Sequence, residues 1–353
     1  MKNLLVIDGS ALLNIIFFAS ISGQISDYKD VDAINDFVKA NFRHGNTHCT
    51  ENVSAFVSKV CSLKDELKAD YVVVCFDKNS NTTFRKLQHP SYKDNRTKRP
   101  EAIKDEMLVL HCLLNNIGIK CYWSDFYEAD DLAGSIINRF KSEVDNVYFF
   151  TKDRDWLQLI SNNVKGIYPL DKEEKAIALR NYSNIDENNV FTNHNNPKAL
   201  NRNICIDTNL CETFFGVYPD EVVDFKALAG DKSDNILGVK GIGTETARGL
   251  IATFGTLENI YKALKENDKD GFKSLIKALI KRNPYDNLVN GEQDAYESKA
   301  LATIETSLNI PFQLESLAWN INVDILKQGI KIYNLDSNLL SWLSLGNETA
   351  YRN

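Results

Sequence analysis

Short apolar runs occur at regular intervals in the first half of the chain, and each run leads into acidic residues. Four of them, at residues 4–7, 72–76, 119–123 and 147–150, have the length of a buried strand. Stretches with helical character separate the runs. Buried strands that alternate with helices are typical of a parallel sheet covered on both faces. The pattern therefore predicts an α/β domain with a parallel twisted sheet and helices on both faces.

The predicted helices and the domain boundaries come from the same pattern. Helices are predicted near residues 51–68, 101–116, 129–142 and 155–160. The polar segments 20–50 and 171–205 have no sustained apolar period and are interpreted as surface insertions. From about residue 207, short helical patterns separated by glycines indicate a second, helical module. The predicted divisions are an α/β domain at 1–170, a polar insertion at 171–206, a helical module at 207–300 and a C-terminal segment packing back on the core at 301–353.

The acidic residues that follow the strands are expected to meet at one edge of the sheet, because ligand sites of open α/β sheets lie at the carboxyl ends of the strands. The segment 230–235 adds two more acids. Two carboxylates ~4 Å apart repel by roughly 4 kcal/mol at an effective dielectric constant of about 20. Such a cluster requires cations or altered protonation. The candidate metal ligands are Asp8, Asp77, Glu128, Asp130, Asp131, Asp153, Asp155, Asp231 and Asp234.

Other roles exist for some of these acids. The three at residues 128–131 precede a helix and would be favourable as capping residues, and Asp153 and Asp155 would suit a turn. The combination favours metal binding over capping. All the donors are oxygen atoms, which favours Mg²⁺ or Mn²⁺ over Zn²⁺. Two such ions stabilise the attacking and leaving oxygens of a phosphoryl displacement, so phosphodiester hydrolysis is the natural hypothesis.

A basic segment lies between the second and third predicted strands. If residues 91–99 are helical, Lys93 and Arg96 share one face and would contact one scissile phosphate, while Tyr92 would stack on a base. A charge run is often only a solvated surface, but the neighbouring acidic site favours a bound polyanion. The cations are Arg85, Lys86, Lys93, Arg96, Lys98, Arg99 and Lys104.

A glycine-rich turn at residues 238–244 joins two helical patterns. Glycines at this spacing permit a tight turn whose N–H groups, together with the following helix N-terminus, bind a phosphate without reading the base sequence. An ordinary helical turn is the alternative. The candidate DNA-binding residues of the turn are Gly238, Lys240, Gly241, Gly243 and Thr244.

Composition adds a few limits. The formal net charge of −7 argues weakly against indiscriminate nucleic-acid binding, although local patches matter more. None of the seven cysteines forms a C-x-x-C pair, which predicts a reducing compartment. The first apolar run is too short for a signal peptide, and no stretch approaches the ~20 apolar residues that span a bilayer. We expect a soluble intracellular protein, of the cytoplasm, nucleoid or an organelle, with no membrane association.

Taken together, the motifs resemble the 5′ nuclease family, which comprises the 5′ to 3′ exonuclease domain of bacterial DNA polymerase I and the phage-type flap endonucleases. They occur in the order found in the family and extend over roughly residues 1–310. No polymerase domain follows, so we expect a stand-alone nuclease. The matching motifs are Val6-Ile7-Asp8-Gly9, Phe76-Asp77, Thr83-Phe84-Arg85, Tyr92-Lys93-Asp94-Asn95-Arg96, Glu128-Ala129-Asp130-Asp131, Thr151-Lys152-Asp153-Arg154-Asp155 and the segment from Leu228 to Ile236.

The resemblance implies a PIN-like α/β domain, with a helical arch at about residues 82–107, and a helix-hairpin-helix module of the H3TH type. It implies that Lys93 and Arg96 polarise the scissile phosphate, that Tyr92 stacks there, and that Arg85 contacts the phosphate backbone. The implied cofactors are two Mg²⁺ ions, for which Mn²⁺ substitutes, and K⁺ at the helix-hairpin-helix. The implied first metal site is Asp8, Asp77, Glu128 and Asp130 with Asp131 beside it, and the second is Asp153, Asp155, Asp231 and Asp234.

The function implied by the resemblance is that of a monomeric, structure-selective 5′ nuclease, with both 5′ to 3′ exonuclease and flap endonuclease activity. Its expected substrates are DNA with a 5′ flap, a nick or an RNA primer, and its expected role is primer or flap removal in replication and repair. Two other functions stay open on the sequence. One is a non-catalytic protein that binds DNA junctions, and the other is a PIN-type ribonuclease.

Overall fold

A seven-stranded sheet forms the centre of the N-terminal part of the protein. The computed structural model describes residues 1–45, 48–78, 81–170, 190–192 and 200–341. The strand order in the main sheet is β5-β4-β1-β6-β7-β9-β8, and β2 and β3 form a separate short pair. The strands are β1 (Asn3–Asp8), β2 (His44–Gly45), β3 (His48–Cys49), β4 (Tyr71–Asp77), β5 (Lys120–Ser124), β6 (Asn146–Phe150), β7 (Val164–Pro169), β8 (Val190–Thr192) and β9 (Leu200–Ile206).

Strands β5, β4, β1, β6 and β7 pair in parallel, which confirms the predicted parallel sheet. The other two strands differ from the prediction, because β8 and β9 extend the sheet in antiparallel fashion where a polar surface insertion was expected. The apolar residues of β9 that are buried, Ile204 and Ile206, belong to a run too short to show a period. Residues 171–189 and 193–199 of that segment lie outside the described residues.

Fourteen helices of the described chain surround the sheet or form the second module. Of the predicted helices, those near 51–68, 101–116 and 129–142 are confirmed, and residues 155–160 fall within a 3₁₀ helix, Arg154–Leu159. The helices are α1 (Gly9–Ser20), α2 (Val31–Asn41), α3 (Val53–Glu66), α4 (Phe84–Gln88), α5 (Glu101–Ile117), α6 (Ala129–Phe140), α7 (Thr208–Phe215), α8 (Val222–Ala229), α9 (Thr244–Phe254), α10 (Leu257–Glu266), α11 (Lys269–Ile276), α12 (Tyr285–Asn290), α13 (Glu292–Ala302) and α14 (Val323–Ile332).

The segment 20–50 also has more structure than the polar pattern indicated. It contains helix α2 and the short β2–β3 pair. Helix α2 begins after Asp30, whose carboxylate accepts a hydrogen bond from the N–H of Ala33, and only Ile34 and Val38 are buried on it. An i, i+4 pair of apolar residues is too weak a signal to stand out in a polar segment.

Three apolar cores hold these elements together. Phe17, Phe56 and Phe76 belong to the core on one face of the sheet, where α1, α3 and α5 pack. Phe140 and Trp156 belong to the core on the other face, which α6 covers. A third core lies within the helical module and includes residues of α8 to α13. No helix in the described ranges is both long enough and apolar enough to cross a membrane.

The chain beyond α13 returns to the catalytic domain. The N–H of Trp319 donates to the carbonyl of Asp70 (2.8 Å), and that of Asn322 donates to the carbonyl of Ile117 (2.8 Å). Further along, the N–H of Asp336 donates to the hydroxyl of Ser54 (3.0 Å). These contacts place the described part of the C-terminal segment against the sheet domain.

A buried glutamate fixes the helix that follows the basic segment. Glu106 of α5 is fully buried and accepts hydrogen bonds from the backbone N–H (2.7 Å) and side-chain Nδ2 (3.2 Å) of Asn52. The thiol of Cys49 lies 3.6 Å from the same carboxylate. Burial raises the pKa of Glu106 from 4.5 to about 7. Glu106 therefore connects α5 to β3 and to the start of α3. Because the carboxyl group is buried, its ionised form is costly in free energy.

We expect Glu106→Gln to flatten the pH dependence of stability. A folded-state pKa above the unfolded value means that the native form binds the extra proton, so the contribution of Glu106 is full below pH 4.5 and falls as the pH rises to about 7. The loss is at most about 3 kcal/mol. Chemical denaturation between pH 4.5 and 7.5 measures it. The exposed Glu101→Gln is the control, and an equally steep pH profile in Glu106→Gln would contradict the assignment.

Candidate active site and nucleic-acid interface

Five of the predicted acids line one cavity at the carboxyl end of the sheet. Asp8 and Asp77 end strands β1 and β4, and Asp153 follows β6. Asp130 lies in the first turn of α6, and Asp231 follows α8. The cavity has a volume of 690 Å³, and its lining also includes Lys93, Arg96, Arg99 and Lys226. The parallel strands and the turn after α8 thus bring distant carboxylates to one crevice.

The carboxylates in this crevice are electrostatically crowded. Burial, followed by repulsion from Asp77, raises the pKa of Asp8 to about 7. Burial and the charge of Asp153 hold the pKa of Asp130 well above its usual range, and burial also raises the pKa of Asp153. Burial also favours a higher pKa for Asp77. The positive charges of Arg99 and Lys93 act in the opposite direction, and the pKa of Asp77 is lowered. The crevice therefore requires positive charge.

Lysine and arginine side chains supply part of that charge. The Lys93 ammonium donates to Glu128 Oε1 (2.9 Å) and lies 3.5 Å from Asp234 Oδ2. Arg96 also pairs with Asp234. On the other side, Lys226 contacts Asp155 and Asp231, the latter at 2.6 Å from Oδ2. Three of the acids that do not line the cavity, Glu128, Asp155 and Asp234, are thus joined to it through cations.

Lys226 is a site residue that the sequence analysis missed. It lies in α8, between Phe225 and Ala227, and is only 8% exposed. Burial of a lysine is expensive unless the charge is paired. With Lys226 paired to Asp231, the pKa of that acid falls to about 2 even though burial raises it. A lysine within an apolar helix directly before an acidic motif was the signal that would have identified it.

The oxygen-rich, crowded crevice fits divalent cations in its donor chemistry. Within the described ranges, no group of three His, Cys, Asp or Glu side chains is arranged to hold a metal ion. In this arrangement the lysine and arginine side chains occupy positions between the carboxylates. The raised pKa values of Asp8 and Asp130 nevertheless indicate that the negative charge is not fully compensated. Hard cations with oxygen ligands would supply the missing charge.

The basic segment 91–99 does not form the helix that was considered for it from the sequence. Residues 90–95 form consecutive turns, and Lys93 has a φ of 55°, in the left-handed region. The backbone N–H of Lys93 donates to the carbonyl of Asp234 (2.9 Å), and Asn235 Nδ2 donates to the carbonyl of Ser91 (2.7 Å). Contact with the loop after α8 therefore replaces helical hydrogen bonds here.

Tyr92 lies inside the site rather than on its surface. It is 3% exposed, and its hydroxyl lies 3.1 Å from Glu128 Oε2 and 3.4 Å from Asp234 Oδ2. From the sequence, Tyr92 was expected to stack on a base. A ring in this buried position is not available for stacking. Its hydroxyl instead joins two carboxylates, and Lys93 lies over its ring at 4.9 Å from the centroid.

Arg85 and Asp131 also differ from their expected roles. Arg85 is 3% exposed, and its guanidinium donates to both carboxylate oxygens of Asp131 (2.7 Å each) and to Glu128 Oε2 (3.1 Å). It donates as well to the carbonyl of Thr303 (2.6 Å). Asp131 is fully buried and accepts hydrogen bonds from the N–H groups of Glu128 and Glu305. A buried bidentate pair replaces the expected DNA contact of Arg85 and the expected metal contact of Asp131.

The glycine turn leaves backbone exposed at the start of α9. Gly238 has a φ of 63°, and a Cβ there would lie 2.3 Å from the nitrogen of Gly230. Gly241 has a φ of 85°, and a Cβ on Gly243 would meet open space. The turn therefore needs glycine at 238 and 241 for its geometry. Lys240 and Thr244 are exposed on it, as a phosphate-binding role requires.

Comparison with known proteins gives two family matches along the chain. Residues 3–194 match the N-terminal, resolvase-like domain of 5′-3′ exonucleases, and residues 217–323 match the C-terminal domain of that family, which has a SAM fold. The two matches include all nine predicted acidic residues, the basic segment and the glycine turn.

Similar proteins agree with these matches. The chain is 32% identical over 275 residues to DNA polymerase I of Caldicellulosiruptor bescii, covering 77% of this chain and 28% of that protein. It is 28% identical to a 5′-3′ exonuclease of Halalkalibacterium halodurans, covering 92% of this chain and 91% of that protein. The chain thus spans less than a third of the length of the polymerase. In fold it is similar to the T5 D15 protein co-crystallised with metal ions, with a TM-score of 0.59, 18% identity and coverage of 99% and 100% of the two chains.

We expect Arg85→Ala to destabilise the protein by about 3–5 kcal/mol, because it leaves Asp131 buried without its partner. Arg85→Lys is expected to restore only part of the loss, since an ammonium cannot reproduce the bidentate geometry. Urea unfolding measures both. The exposed Lys98→Ala, in the same basic segment, is the control. If Arg85→Ala instead weakened DNA binding at unchanged stability, the buried-pair assignment would be wrong.

Proposed function

Because the chain belongs to the 5′-3′ exonuclease family, we propose that it hydrolyses DNA phosphodiesters as a structure-selective, metal-dependent 5′ nuclease. The observation that carries this proposal is the crevice in which five separate acids face one cavity beside three cations of the basic segment. Its substrates are DNA with a 5′ flap, a nick or an RNA primer, and it acts as a monomer in primer or flap removal during replication and repair. Both 5′ to 3′ exonuclease and flap endonuclease activity belong to the proposal.

The proposed metal ligands form two groups around the cavity. Mg²⁺, with Mn²⁺ as a substitute, supplies charge stabilisation and an activated water to phosphoryl displacement. The crowding of Asp8, Asp130 and Asp153 supports cation binding at this edge. The proposal of K⁺ at the glycine turn rests on the family resemblance alone. The first group is Asp8, Asp77, Glu128 and Asp130, and the second is Asp153, Asp155, Asp231 and Asp234.

Lys93 and Arg96 are proposed to act on the scissile phosphate. Both side chains line the cavity, and both face carboxylates that would bind cations. Cations held by Glu128 and Asp234 would leave the ammonium and the guanidinium free to pair with a phosphate. Burial opposes the charge on Lys93, but Glu128 and Asp234 hold its pKa well above the ordinary value. We propose that Lys93 acts as a cation that stabilises developing negative charge, and not as a general base.

The buried pair of Arg85 and Asp131 has a supporting role in this reaction. Arg85 donates to Glu128 Oε2, and Asp131 accepts the N–H of Glu128, so the pair fixes both ends of that residue. Glu128 keeps its other carboxylate oxygen towards Lys93. We propose that the pair orients Glu128 towards the cavity without contacting DNA.

The proposal predicts cleavage of a 5′-flap duplex near its junction with Mg²⁺ and none with EDTA. Asp153→Asn should lower the rate by at least about 100-fold, the size of effect seen when one electrostatic contact to the transition state is lost. It should also reduce the thermal stabilisation that Mg²⁺ gives. The matched control is Asp324→Asn, at an acid 86% exposed and remote from the cavity.

Junction binding without cleavage, with wild-type protein in either Mg²⁺ or Mn²⁺, would instead favour a non-catalytic junction binder. Preferential cleavage of single-stranded RNA would favour a ribonuclease.

Replacing Lys93 by alanine should slow cleavage by about 10²–10³-fold while changing DNA affinity far less, because a cation acting on developing charge matters mainly in the transition state. Single-turnover rates and equilibrium binding separate the two effects. Lys98→Ala removes an exposed cation from the same segment and serves as the control. Equal losses in rate and affinity would refute the assignment of Lys93.

A further inference from the structure

A second basic surface lies in the helical module, away from the acidic crevice. The fifteen residues 271–285 contain four cations and no acid, in a chain whose net charge is −7. We call Lys273, Lys277, Lys281 and Arg282 the outer basic surface. All four are exposed. Across the parts of the chain that the structure describes, none of them is in an ion pair.

The fold holds these cations on the outside of the module. Phe272, Ile276 and Ile280 occur every fourth residue and are buried in the third core. The N–H of Ile280 donates to the carbonyl of Ile276 (2.9 Å), so helical geometry continues one turn past α11. The lysines at 273 and 277 directly follow two of the buried residues, so they lie along one edge of the buried row. The core therefore fixes a row of cations on the surface.

The surroundings do not neutralise the outer basic surface. The acids that flank it along the chain are Asp270, three residues before Lys273, and Asp286, which is paired with Lys269. Leu275 and Leu279 are 48% and 59% exposed, so apolar surface adjoins the cations. Four exposed cations outside the described ion pairs, against one flanking unpaired acid, favour a polyanionic ligand.

The outer basic surface also adjoins the glycine turn. Asn287 Nδ2 donates to the carbonyl of Lys240 in that turn (2.8 Å). Arg282 lies five residues before Asn287, so their Cα atoms are at most ~17 Å apart. Ile280 packs against α9, which begins at the turn, since a Cβ on Gly249 would lie 2.6 Å from its Cγ1. The first cations thus lie within the length of about five base pairs of duplex from the turn.

We propose that the outer basic surface binds the sugar-phosphate backbone of the duplex arm that the glycine turn holds, several base pairs further from the site of cleavage. The proposal rests on the proposed function, in which the turn grips duplex DNA. The row from Lys273 to Lys281 is ~12 Å long, at a rise of 1.5 Å per helical residue. With the turn, they provide contact over up to about nine base pairs, so affinity rises with the length of the arm until the outer basic surface is covered. The contacts are to phosphates and are independent of base sequence.

The test is binding of fluorescent flap substrates in EDTA, with duplex arms of about 6, 12 and 24 base pairs. In Lys277→Gln/Lys281→Gln, the slope of log Kd against log salt for the longest arm should fall by about 1.8, because each neutralised phosphate contributes ~0.9. The shortest arm should bind as it does to the wild type. The control, Lys262→Gln/Lys265→Gln, removes the same charge from lysines that contact Glu266 and Glu292, and its slope should not change. Thermal unfolding of both variants checks that they are folded.

Each other outcome has a definite meaning. An unchanged salt slope in Lys277→Gln/Lys281→Gln overturns the proposal and favours an acidic protein as the ligand of Leu275 and Leu279. Equal losses for the short and long arms overturn it as well, since the effect would then be one of overall charge. If the wild type cleaves flaps but binds all arm lengths equally, this proposal fails and the proposed function stands. If the wild type binds no duplex, both fail.

Discussion

Repulsion between carboxylates at the end of one parallel sheet is the constraint on which the rest of this structure depends. Asp8 and Asp77 lie at the ends of adjacent strands, and neither can move away without breaking the sheet. The charge they gather must be offset from elsewhere. In this structure the offset comes from two directions: the basic segment, which includes Arg85, and the helix before Asp231. Much of the packing around the crevice brings cations to acids.

Internal cations also give the site a second arrangement of charge. Lys93 and Lys226 each contact two carboxylates that are proposed as ligands. A divalent cation held by these carboxylates would take the place of an ammonium rather than of water alone, so its binding would be coupled to movement of the lysine side chains. The backbone of Lys93 is hydrogen-bonded to the loop at Asp234 and would keep the side chain near the cavity. The ammonium would therefore stay where a phosphate is expected.

The parts of the structure that the sequence predicted are those with strong local signals. Buried parallel strands are continuous apolar runs, so the positions of Asp8, Asp77 and Asp153 at one sheet edge followed from pattern and topology alone. The side-chain partners of the cations could not be predicted from the sequence, because an exposed arginine and a buried, paired arginine look the same in sequence. Arg85 is buried only because Asp131 and the carbonyl of Thr303, 218 residues away, meet it. Strand β9 was missed for a related reason, since its pairing with β7 is long-range and its apolar run is short.

The hydrogen bond from Arg85 to the carbonyl of Thr303 bears on how the protein can be divided experimentally. Thr303 directly follows α13, the last helix of the helical module, yet its carbonyl helps satisfy a charged group buried beneath the acidic crevice. A fragment cut between the two family domains would lose this acceptor and the N–H of Glu305 that binds Asp131. The catalytic half would then contain a guanidinium and a carboxylate with incomplete hydrogen bonding. We therefore expect the sheet domain to lose stability when it is separated from the segment after α13, because these buried hydrogen bonds cross between the two.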